Sequence, residues 1–75
     1  MRDVVYAHIR PGEDSGFVAV CDQLHAVTQG ETLDETVANL QEVVALALEG
    51  EDLAVYGLKT RPVVVVTMEV EPAAA

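Results

Sequence analysis

The stretch TQGETLDETVANLQEVV, residues 28–44, runs a glycine turn directly into an amphipathic repeat. Thr32 is a good helix N-cap, and Glu35 stands three residues later, the spacing of a capping box. Asp34 and Glu35 also bring negative charge to the first helical turn, where the helix dipole favours it. At about 100° per residue, Leu33, Val37, Leu40, Val43, Val44, Ala47 and Leu48 share one arc. Glu35, Glu42 and Glu49 recur every seven residues on the opposite side. The spacing predicts a helix that is apolar to the core and acidic to water, with Gly50 as its stop. A fully buried Leu or Val contributes about 1.5–3 kcal/mol, so this face carries much of the stability. An aspartate at Leu40 is expected to unfold the domain.

Working outward, the rest of the chain reads as strands. DVVYAHIR, residues 3–10, alternates Val5, Ala7 and Ile9 with Val4, Tyr6, His8 and Arg10. PGEDSG, residues 11–16, is rich in turn formers, and FVAVC, residues 17–21, resumes with Phe17, Ala19 and Cys21 on one side. The pair suggests a hairpin. LHAVTQG, residues 24–30, reads as a shorter third strand ending at Gly30. VVVVTMEV, residues 63–70, is the strongest strand, and its start is apolar on both faces, so both are expected to be covered there. EDLAVYGLKTRP, residues 51–62, is too apolar for a plain loop and is expected to hold a short extended piece. EPAAA is a tail.

The fold class is therefore α+β in the order β-β-β-α-β: a mixed four-stranded sheet with one helix packed on one face. The intervening helix allows a crossover, so the last strand can run parallel to an earlier one. One helix cannot cover both faces. Val4, Tyr6, Val18, Val20, Val63 and Val65 are left over, and such surface points to self-association or a protein partner. Val63 and Val65 are the candidate self-association residues, and a homodimer or higher homo-oligomer is expected.

A chain of 75 residues makes one domain, residues 1–75. Its 51% hydrophobic and 23% charged residues mark a globular chain, of a size that is marginally stable alone. Thirteen acids against four bases give a net charge of −9. Affinity for nucleic acid comes from Lys and Arg neutralising phosphates, so direct nucleic-acid binding is not expected, nor is an anionic membrane surface. A basic protein partner suits the charge. Cys21 is the single cysteine, so no internal disulfide forms. No apolar run nears the roughly 20 residues of a membrane span, and MRDVVYAHIRPGED has no signal-peptide core, so a cytoplasmic location is expected.

Candidate chemistry is sparse. Cys21 and His25 flank Asp22, but a zinc site needs three or four ligands. Cys21 reads as a buried small thiol and His25 as a turn residue. His8 reads as a surface or interface residue. Ser15 sits in a turn without a nucleophile motif. Asp3 suggests a metal-dependent nuclease, which the −9 charge opposes. GEDSG and QGET lack the glycine spacing and lysine of a phosphate loop. No catalytic, cofactor-binding or metal site is therefore assigned, and no enzyme activity is expected. Glu35, Glu42 and Glu49 form either a solvated helix face or a docking face for a basic partner.

Residues 16–49 resemble the N-terminal domain of HicB-like antitoxins. Gly16, Phe17 and Val18 match that family's strand, and Asp22 its turn aspartate. Thr28, Gly30, Glu31, Thr32, Leu33, Glu35 and Asn39 match its helix opening. Cys21 stands where the family usually has proline, Leu24, His25 and Ala26 replace its Pro-Gly-Cys-like turn, and Thr36 and Val37 replace the common Ala-Leu or Ala-Ile pair. The resemblance implies a partial ribonuclease-H-like fold without a ribonuclease site. It also implies an antitoxin that neutralises a small basic HicA-type RNA-cleaving toxin by direct binding. Many such proteins carry a further C-terminal DNA-binding domain, whose pattern residues 1–75 do not hold. The alternative is an orphan self-associating module of the same fold that binds a small ligand or another protein.

Overall fold

Alternation along the first strand decides which side of the sheet becomes the core. In the computed structural model, which describes residues 3–49 and 52–70, this strand is Val4–Pro11 (β1). Val5, Ala7 and Ile9 are buried, while Val4, Tyr6, His8 and Arg10 are exposed on the other face. Phe17–Cys21 (β2) pairs antiparallel with β1, placing Ala19 opposite Ile9 and Val20 opposite His8. Ala26–Gly30 (β3) pairs antiparallel with β2. The helix Leu33–Leu48 (α1) then crosses over, and Val63–Met68 (β4) returns parallel to β1. The sheet order is β3-β2-β1-β4, so the expected mixed four-stranded sheet with one helix on it is the fold found.

The helix begins as its sequence predicts. Thr32 Oγ1 accepts from the Glu35 N–H at 3.1 Å. The capping box is displaced on its return arm, since the Glu35 carboxylate reaches the N–H of Glu31, at 3.5 Å, rather than that of Thr32. Thr36, Leu40, Val44 and Leu48 are the buried positions, with Leu33, Val37, Val43 and Ala47 half-buried beside them. Thr36 is a polar residue in the core that the apolar arc did not include. Its hydroxyl donates to the Thr32 carbonyl at 2.7 Å, which removes most of the cost of burying it. Ala7, Ala19 and Ala26 form a low floor beneath the helix together with Val5, Ile9 and Cys21.

Three expectations are corrected. The third strand starts at Ala26, because Asp22–Leu24 makes a 3-10 turn that points Leu24 into the core, and His25 takes the left-handed conformation at φ 53°. Among its described residues, 52–62, the segment after the helix contains no extended strand. Leu53–Tyr56 is a 3-10 turn capped by Asp52, and Gly57 at φ 75° reverses the chain so that Leu58 is buried. Its apolar residues serve packing: the Tyr56 hydroxyl donates to the Ala47 carbonyl at 3.1 Å. Finally, β4 ends at Met68, and the cover expected on both faces of its start is only partial, with Val63 and Val64 half-buried. The helix lies mainly over β3 and β2, while β4 is the far edge, so Val65, Val66 and Met68 remain about 40% exposed. The Gly50 stop and the tail at 71–75 lie outside the described residues, as do Met1 and Arg2.

Candidate protein-binding surface

The strand registers gather the leftover apolar residues on one surface. Val4 pairs with Val63, Tyr6 with Val65, and Val20 with Val27. Residues opposite one another in a ladder share a face. Val4, Tyr6, Val18, Val20, Val27, Val63 and Val65 therefore line the face opposite α1. Tyr6 is 65% and Val27 62% exposed, while Val18, Val20 and Val63 are half-buried by their neighbours. The two candidate self-association residues, Val63 and Val65, lie on this face beside β1. Val27 belongs to the same patch and was missed; the alternation of residues 24–30 with those of β2 was the signal for it.

A second feature bridges β1 and β4 on that face. His8 Nε2 lies 2.8 Å from Glu69 Oε2, and His8 Nδ1 lies 3.1 Å from Thr67 Oγ1. This places His8 in a polar network at the surface. The contact turns the Glu69 carboxylate toward its own sheet.

On the helix side, a groove of about 290 Å³ runs between α1 and β4. Val37, Leu40, Val44, Leu48, Val64 and Val66 line it together with Arg61. It exists because α1 stops short of the edge strand.

The acidic candidates are spread along the helix. Glu35 is exposed in the first turn, Glu42 is exposed mid-helix, and Glu49 is the C-cap in extended conformation, just past the helix end. Glu35 also borders a hollow shared with Glu13, Asp14, Glu31 and Arg10 at the loop between β1 and β2. The acids thus surround the helix and the loop at 11–16, and the six residues of β4 carry none.

The remaining candidates have structural surroundings. Cys21 is wholly buried and His25 is exposed at the turn, so the two do not form a pair at a surface. Among the described residues, no three His, Cys, Asp or Glu side chains come together as a metal site. Asp3 Oδ2 accepts from the Lys59 N–H at 2.7 Å, the Thr60 N–H at 2.8 Å and the Thr60 hydroxyl at 3.1 Å. The backbone donors of Thr60 and Lys59 hold the Asp3 carboxyl below its ordinary pKa, with a smaller contribution from the Lys59 charge. Asp3 thereby clamps the chain just ahead of β4. No helix among the described residues is long and apolar enough to cross a membrane.

No family model, curated protein or solved structure matches this chain.

Proposed function

We propose that the protein is an antitoxin-like binding module that neutralises a small basic HicA-type RNA-cleaving toxin by direct contact, and that it acts as a homo-oligomer in the cytoplasm. The observation that carries a binding role is the sheet face opposite α1. A domain this small gains most from burying apolar area, yet Val4, Tyr6, Val27 and Val65 stand exposed together on it. The nature of the partner rests on two further supports. Gly30, Glu31, Thr32, Leu33 and Glu35 carry the HicB-like resemblance at the junction of β3 and α1, and a partial ribonuclease-H-like relation is proposed on the same ground. The net charge of −9 suits a basic partner and speeds its approach.

Co-expression tests this reading. A small basic protein encoded beside this one should inhibit growth alone, lose its toxicity when both are present, and co-purify with this chain. Persisting toxicity with no complex would overturn the toxin assignment. The groove between α1 and β4 favours a second reading, an orphan module that holds a small apolar ligand or another protein. A genomic neighbourhood without a small basic toxin gene would favour it.

A further inference from the structure

The free edge of β4 has a regular pattern of backbone groups. The Val63 N–H donates to the Asp3 carbonyl at 2.9 Å, and the Glu69 N–H donates to the Ile9 carbonyl at 3.0 Å. In a parallel ladder the bonded residues alternate. The odd-numbered residues of β4 therefore face β1, while Val64, Val66 and Met68 turn their N–H and C=O groups to the open edge. Sheet edges are ordinarily blunted by charge, proline, a bulge or a covering element. Here the run Val63–Met68 is uncharged, contains no proline, and keeps an unbroken register with β1.

We infer that this edge pairs with its counterpart on a second copy of the chain, antiparallel across a twofold axis perpendicular to the sheet. The result is one continuous eight-stranded sheet, four strands from each copy. This rests on the self-association part of the proposed function and gives it a geometry that the side-chain pattern of Val63 and Val65 does not. Two arguments select a second copy as the occupant. Each copy carries a charge of −9, so two copies meet at least electrostatic cost where acids are fewest. β4 is such a place: like the other strands it carries no acid, the acids of α1 and of the loop at 11–16 lie elsewhere, and Glu69 just beyond it bonds His8 at 2.8 Å. The geometry is also self-complementary. A twofold pairing sets residues of one parity opposite one another, so Val64, Val66 and Met68 meet on the helix side and Val63, Val65 and Thr67 meet on the other. Both helices then lie on the same side of the joined sheet, and the helix-free face doubles in extent for a partner.

Amide hydrogen exchange on the unmodified protein, combined with sedimentation, tests this. The expected result is a dimer in which the Val64, Val66 and Met68 amides become protected as protein concentration rises, alongside the concentration-independent protection of Val65 and Thr67. Val66→Pro removes an edge N–H that makes no bond among the described residues, and proline is tolerated at sheet edges. It should yield a monomer with the wild-type circular dichroism spectrum. A dimer whose edge amides exchange rapidly at every concentration would overturn the edge pairing while leaving self-association by another surface intact. A single 8.0 kDa species at micromolar concentration would overturn self-association itself.

Discussion

The sheet has two outer strands, and the molecule treats them differently. β3 is closed by the helix that follows it. A Cβ at Gly30 would lie 2.6 Å from Thr36 Oγ1 and 2.7 Å from the Thr36 nitrogen, so α1 starts almost in contact with the strand. Asn39 then donates its side-chain amide to the Gln29 carbonyl at 2.8 Å. β4 receives no such cover. The helix leaves it half-open on one face, no helix among the described residues lies on the other, and its outer backbone groups face away from the sheet. The same segment that starts the helix therefore seals one edge and, by lying over β3 and β2, leaves the other available. Packing is concentrated on the β3 side, and the β4 side is where the proposed pairing of two copies would form.

Gly30→Ala strikes the closed edge hardest. The new methyl meets backbone atoms of Thr36, including its Cα at 3.0 Å, so the helix itself must shift. Such overpacking typically costs about 1–3 kcal/mol, a large share of a small domain's stability. Urea unfolding followed by circular dichroism should show the midpoint falling accordingly. An unchanged midpoint would mean that the close approach of helix and strand is not what seals β3. Asn39→Ala should cost less, about 0.5–1.5 kcal/mol, because it removes one hydrogen bond and leaves the Gln29 carbonyl accessible to water. Its exchange signature should be local to the helix start and β3, with the β4 amides unaffected.

How much of this contrast was legible beforehand follows from range. Alternation in residues 3–10 and the helical arc through Leu40 and Val44 are local patterns, and both read through to the buried face. The parallel return of β4 was legible because a helix stood between the strands. Thr36 was missed because its burial depends on a bond to Thr32 and on Gly30 across the turn, neither of which an apolar pattern records. The cover expected on both faces at the start of β4 is only partial for a related reason. A valine run states what a strand tolerates, whereas its exposure depends on where α1 is laid across the sheet. The glutamates at 35, 42 and 49 were visible as a stripe, but the helix ends at Leu48, which puts Glu49 just beyond it.

The open edge must still be held in place from its inner side, and Asp3 supplies the anchor ahead of it. One carboxylate oxygen takes three hydrogen bonds from Lys59 and Thr60, which position the chain before Val63 joins β1. Two of these donors are backbone N–H groups, and they hold the folded-state pKa below the unfolded one. The stabilisation is therefore fully present above the ordinary aspartate value of about 3.9 and is lost as pH falls through the lower folded value. Asp3→Asn keeps an acceptor oxygen but not the charge. It should unfold at lower urea than the wild type at neutral pH, and the gap between the two midpoints should narrow as acid protonates Asp3 in the wild type. This is the smallest of the three effects at neutral pH, since the group is open to solvent, and its pH dependence is what identifies it. A gap that is constant from acid to neutral pH would show that Asp3 acts there as a neutral acceptor. β4 would then owe its placement to its ladder with β1 alone.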